Sequence, residues 1–152
     1  MRIYLDMNNY YRVFDDQTQL KIKREANAVN KIFELIDSNK CELCGSFALE
    51  DENNRNDHLE NKLHVQVIFS KWSGYIKFDL RIIEKAKKII EQSNAGTYDA
   101  LHLACAAFNN CDYFVTCDDR FIRTINANCE NLRKIIGPLK VINPCELIEK
   151  ET

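Results

Sequence analysis

The stretch that most constrains this chain runs from Thr97 to Phe121, TYDALHLACAAFNNCDYFVTCDDRF. Between Ala100 and Phe108 eight of nine residues are apolar, His102 being the exception. A helix with one wet face shows polar residues every few positions, so this segment reads as a helix buried almost all round. Asp99 nevertheless falls in its first turn, and Asp118 follows closely on another apolar run, Tyr113-Phe114-Val115. Ionised carboxylates at the edge of a core are costly unless paired, hydrogen-bonded or bound to a metal. That conflict is the chain's strongest functional signal.

The rest of the chain alternates short apolar runs with helical periodicity. Arg2 to Leu5 is a β-type run that delivers Asp6, Asn8 and Asn9 at its end, and Tyr10 to Gln19 reads as a polar loop. Ile22, Ala26, Val29, Phe33 and Ile36 step by three and four, the pattern of an amphipathic helix ending near Ser38. Cys41 to Gly45 is a second strand, and Ser46 an N-cap for a helix carrying Glu50 and Glu52. The polar run Asp51 to Asp57 reads as a break or a mobile arm. Helix resumes from Leu59 to Trp72, with Gly74 ending it and Tyr75 to Phe78 as a strand. Leu80, Ile83, Ala86 and Ile90 mark another helix, stopped at Asn94 and Gly96, with Thr97 capping the next. Tyr113 to Cys117 is a strand, followed by a helix capped by Asp118 or Asp119. Asn131 to Ile136 is helical up to Gly137-Pro138, Leu139 to Ile142 is a last strand, and Pro144 opens a terminal helix. Strands alternating with helices predict a three-layer α/β/α sandwich on a mostly parallel sheet, one domain over residues 1–152. In such folds the functional crevice lies beyond the carboxyl ends of the strands, where Asp6 and Asp118 both fall.

Composition narrows the classes. A net charge of −2 gives no global basic footprint, so any nucleic-acid binding must rest on local patches or metal ions. No apolar run approaches the roughly 20 residues of a membrane span. MRIYLDMNNY lacks the apolar stretch of an export signal, so a cytoplasmic protein is expected. The odd count of seven cysteines, mostly inside apolar or helical patterns, points to reduced packing thiols. Cys41 and Cys44 form the one CxxC, without a second pair to complete a zinc site.

Four acidic positions group at element junctions: Asp6, Glu50 or Glu52, Asp99 and Asp118. Each alone suits a helix start or a solvated surface. Brought to one sheet edge, they could not all stay ionised without a cation. Oxygen-only donors suit a hard ion such as Mg²⁺ or Mn²⁺, which can hold a water in line with a phosphodiester and stabilise the leaving oxygen.

The segments YLDMNN, SFALEDENNRN, YDALHLACA and VTCDDRF resemble, in this order, the motifs of PIN-domain ribonucleases, which include the VapC-type toxins of toxin–antitoxin pairs. The resemblance spans nearly the whole chain, and DALHLA followed by T-x-D-x-x-F is its most specific part. It implies the α/β/α sandwich already inferred and metal-dependent cleavage of RNA by a cluster of acids. By position, Asp6, Asp99 and Asp118 match three of the family's site acids, and Asn8 and Thr116 match the polar residues that support them. The family glutamate lies six residues past the strand-end serine, which selects Glu52. Asn53 stands where a hydrophobic residue is usual, so Glu50 stays open, as does Asp119 beside Asp118. An RNA substrate, a cognate antitoxin protein and a homodimer follow from the resemblance.

The alternative is a catalytically silent PIN-like module that binds RNA or a protein. Retention of all the acids argues against it. A haloacid-dehalogenase-like phosphatase needs a second Asp where Asn8 stands. His102 reads as a hydrogen-bonded residue of the buried helix rather than a general base. Arg12, Arg55 and Arg120 are exposed arginines more readily than phosphate contacts, and Trp72 with Phe69 suits the core or a dimer face.

Overall fold

A computed structural model describes residues 1–151. Five parallel strands form the sheet: β1 (Arg2–Leu5), β2 (Glu42–Ser46), β3 (Gly74–Ile76), β4 (Tyr113–Val115) and β5 (Lys140–Ile142), in the spatial order β3-β2-β1-β4-β5. Ile3 pairs with Leu43 on one side and with Tyr113 on the other, so β1 is the central strand. The chain runs outward from β1 to β3, returns to the far side of β1 as β4, and continues to β5. The strand order therefore reverses between β1 and β4, the place where an open α/β sheet leaves a crevice at its carboxyl edge.

Ile3, Tyr4 and Leu5 are all fully buried. Successive strand residues face opposite ways, so β1 is covered on both faces and the expected layered sandwich is present. Helix α5 (Leu80–Ser93) packs on α6 (Thr97–Phe108) and α8 (Cys129–Ile136), while α2 (Leu20–Asp37) packs on α9 (Pro144–Glu151). The remaining helices are α1 (Met7–Tyr11), α3 (Phe47–Asn54), α4 (Leu59–Ile68) and α7 (Asp119–Ala127). In α6, Ala100 and His102 through Ala106 are buried, as the apolar run predicts. Among the described residues no helix is long and apolar enough to cross a membrane.

Several local expectations are corrected. The stretch from Tyr10 to Gln19 is not all loop: the short helix α1, capped by Asp6, runs through Tyr11, and a 3₁₀ turn follows over Arg12–Phe14. The polar run from Asp51 continues α3 to Asn54, because buried Asn53 accepts from the Tyr11 hydroxyl and donates to the Lys62 carbonyl. Gly74 opens β3 instead of ending a helix; α4 already gives way at Ile68 to a 3₁₀ turn over Phe69–Lys71. Gly96, not Thr97, occupies the N-cap of α6. Asn94 ends α5 in the left-handed conformation at φ 58°, which asparagine tolerates better than most residues.

Trp72 and Phe69 belong to the core margin, their rings stacked at 4.1 Å. A Cβ at position 45 would stand 1.9 Å from the Trp72 ring, so only glycine lets this indole lie against β2. All seven cysteines are free thiols. Five are buried, Cys41 and Cys44 among them, but Cys129 on α8 is exposed and is no packing residue.

Candidate active site

Asp6 leaves β1 in an extended conformation, and its Oδ1 accepts from the Met7 amide at 2.8 Å, which starts α1. Its Oδ2 accepts from the Thr116 hydroxyl at 2.9 Å and the Asn8 amide at 3.2 Å. Asn8 also donates to Thr116 Oγ1, and its Oδ1 accepts from the Cys117 amide at 3.0 Å. These bonds tie the ends of β1 and β4 together around one carboxylate. Burial pushes the Asp6 carboxyl above its ordinary value; His102, the Thr116 hydroxyl and the Met7 amide pull the other way, and Glu52 adds to the rise.

Asn9 is a contributor that the sequence reading passed over. It is buried, and its amide donates to the carbonyls of Val115 at 2.7 Å and Asp6 at 3.0 Å. Nothing in the MNN tripeptide distinguishes it from a loop asparagine, because both partners are backbone groups brought in by the fold.

Asp118 caps α7, its Oδ1 accepting from the Phe121 amide at 3.1 Å. Its own amide donates to Thr116 Oγ1 at 3.1 Å, so Thr116 serves both acids. Asp119 faces away toward Lys21, with 3.5 Å between their charged atoms. Glu52 rises from α3, and its Oε1 lies 3.2 Å from His102 Nε2. Glu50, two residues earlier, is exposed and hydrogen-bonds to Tyr75 instead.

Asp99 is where these acids meet. It is half-buried in the first turn of α6, and its carboxyl is pushed up to about 6. Burial is the largest cause, followed by repulsion from Asp6 and from Asp118, with His102 opposing and Glu52 adding to it. The fold thus brings Asp6, Glu52 and Asp118 within electrostatic reach of Asp99 and leaves Glu50 and Asp119 with other partners. Among the described residues no three His, Cys, Asp or Glu side chains already stand at the spacing of a metal-binding cluster.

The arginines are committed elsewhere or plainly exposed. Arg12 pairs with Asp15 at 2.9 Å and with buried Glu25 at 3.3 Å. Arg55 pairs with Asp51 and lies over the Tyr98 ring, and Arg120 is exposed. Tyr98 itself donates its hydroxyl to Asp51 and stacks on His102.

No curated protein sequence is significantly similar to this chain. The fold is shared with VapBC2 from Rickettsia felis, in a structure bound to a DNA fragment from their promoter, at TM-score 0.58 and 16% identity over 94% of this chain and 98% of that one. It is shared equally with FitAB bound to the IR36 DNA fragment, at TM-score 0.58 and 17% identity over 94% and 95% of the two chains. FitAcB from Neisseria gonorrhoeae gives TM-score 0.57 and 16% identity over 93% and 97%. At such identities the likeness is one of fold. The sequence itself matches the PIN domain family over residues 10–126, a span holding Glu52, Asp99 and Asp118, and PIN domains are generally nucleases. The chain belongs to the PIN domain family.

Proposed function

We propose that this protein is an endoribonuclease that hydrolyses RNA phosphodiester bonds with Mg²⁺ or Mn²⁺ held by Asp6, Glu52, Asp99 and Asp118. The observation that carries the reading is the state of Asp99, whose carboxyl is raised to about 6 by burial and by three neighbouring acids. Carboxylates crowded this way repel each other until a cation compensates them. The donor set is all oxygen, which fits a hard divalent ion.

Asp6, Glu52, Asp99 and Asp118 would hold a Mg²⁺ or Mn²⁺, which would supply compensating charge for the acids and for a phosphodiester and Lewis-acid activation of water. The chain's own residues set the geometry. Asp6 accepts three hydrogen bonds, from Met7, Asn8 and Thr116, so its carboxylate is fixed in direction. Such outer partners orient a ligating carboxylate and tune its affinity. The Phe121 amide anchors one oxygen of Asp118. Glu52 wins over Glu50, and Asp118 over Asp119, because the losers face Tyr75 and Lys21.

The same reading makes this chain the toxin of a toxin–antitoxin pair and a homodimer, with a separate antitoxin protein as partner. Its support is the shared fold with VapBC2 and FitAB. Leu59, Leu63 and Val67, one turn apart on α4, are 65%, 51% and 72% exposed, the kind of apolar row that protein partners cover.

Titration of Mn²⁺ into the wild-type and Asp99→Asn proteins tests the shared site. Binding that is lost in the folded variant is expected; equal affinity in the two proteins would contradict it.

A further inference from the structure

We propose that His102 is a positioning residue: its Nε2–H donates to Glu52, its Nδ1 accepts from the Tyr4 hydroxyl, and the row Ser46–Tyr4–His102 holds the Glu52 carboxylate toward the acidic crevice. This assignment rests on the reading of Glu52 as one of the metal-holding acids.

The row is continuous. Ser46 Oγ lies 2.6 Å from the Tyr4 hydroxyl, that hydroxyl lies 2.6 Å from His102 Nδ1, and His102 Nε2 lies 3.2 Å from Glu52 Oε1. Ser46, Tyr4 and His102 are fully buried, so no bulk water completes their hydrogen bonding and each must be satisfied inside the row.

Directions follow from what each group can do. An ionised carboxylate only accepts, so the proton at the Glu52 end sits on Nε2. A neutral imidazole carries one N–H, so Nδ1 is left as an acceptor and the Tyr4 hydroxyl donates to it. The Tyr4 oxygen then receives the Ser46 hydroxyl hydrogen, while Ser46 Oγ accepts from the Leu49 amide at 3.2 Å and caps α3, the helix that carries Glu52. Burial holds the Tyr4 phenol well above its ordinary value, which keeps it a donor. The Cys105 thiol, one turn along α6, lies against Ser46 and Tyr4.

The ring cannot easily swing out of this row. Tyr98 stacks on it at 6.0 Å between centroids, and Tyr4 lies tilted at 5.7 Å on another side. The row is anchored in the sheet: Tyr4 in the central strand, Ser46 at the end of β2. His102 is fully buried, so it acts through Glu52 and does not touch substrate.

Nitrogen NMR of the His102 ring in the ion-free protein, near neutral pH, tests the row without any metal. The expected spectrum has a protonated Nε2. A bare Nε2, as in the other tautomer, cannot donate to Glu52 and overturns the assignment. Mn²⁺ affinity then tests the consequence. His102→Leu should weaken binding about tenfold, whereas His102→Gln, whose amide N–H reaches as Nε2 does, should stay within about twofold of wild type. Unchanged affinity in folded His102→Leu, with Glu52→Gln impaired, removes the positioning role. Unchanged affinity in Glu52→Gln itself removes Glu52 from the metal site instead. If His102→Leu does not fold, the ring spectrum of the wild type and the His102→Gln affinity still decide.

Discussion

The Thr116 hydroxyl donates to the Asp6 carboxylate at 2.9 Å across 110 positions of sequence, and the same oxygen accepts from the Asn8 side chain and the Asp118 amide. One buried hydroxyl therefore joins the carboxyl ends of the two strands that border the crevice. Thr116→Val keeps the shape and removes all three bonds, leaving Asp6 short of a donor inside the protein. It should cost about 2 kcal/mol of stability, with Thr116→Ser recovering most of the loss. Denaturant unfolding of the two variants checks this; equal stabilities would show that the hydroxyl is not needed there.

Asp99 gives the ion-free protein a defined pH response. Its folded value of about 6 lies above the ordinary 3.8, so the folded state binds the proton more tightly than the unfolded one. Its contribution to stability is then highest below about pH 4, falls as pH rises toward 6, and is flat beyond. Asp6, also raised, acts in the same direction. Asp99→Asn should flatten this slope and stabilise the ion-free fold by about 1 kcal/mol at neutral pH, by removing a repelled charge. Melting temperatures of the wild type and Asp99→Asn across a pH series test the sign; a wild type that gains stability relative to the variant from pH 4 to 6 would contradict it.

Glu50 and Glu52 are two residues apart and have different surroundings, Tyr75 for one and His102 with Asp99 for the other. Glu52→Gln should lower RNA cleavage about a hundredfold or more, and Glu50→Gln should leave it within about twofold. Equal small losses would remove Glu52 from the reaction.

Gly45 and Trp72 make a packing prediction independent of function. Trp72 is held by its stack on Phe69 and by donation of its indole N–H to the Tyr10 hydroxyl at 3.0 Å, so it cannot retreat from a new methyl group 1.9 Å away. Gly45→Ala should cost about 2–3 kcal/mol. Trp72 is the only tryptophan, so its fluorescence reports the unfolding midpoint directly; an unchanged midpoint would refute the tight contact.

The acids were legible in sequence where local patterns place them. Asp6 and Asp118 follow apolar runs and turn out to cap helices, and Asp99 interrupts a buried segment at its start. Ser46 was legible for the same reason, as a cap that precedes its helix. Partners that act across the fold were not. His102 and Glu52 are 50 residues apart, and no spacing rule links a residue of α6 to one of α3. Asn9 bonds to backbone of β4, which leaves no trace in side-chain chemistry. Gly74 misled because a glycine ends a helix as readily as it opens a strand. Here it pairs with Cys44 in β2, a contact made by the sheet and not by its neighbours in sequence.

The central claim is that the clustered acids cut RNA with the help of a divalent ion. Its most direct test is incubation of a mixed structured and single-stranded RNA pool with the wild-type and Asp6→Asn proteins, in Mg²⁺, in Mn²⁺ and in chelator. Cleavage by the wild type that needs the ion and vanishes in the folded variant is predicted. Cleavage that persists in chelator or in Asp6→Asn, or Mn²⁺ binding by the wild type without any cleavage, would contradict it.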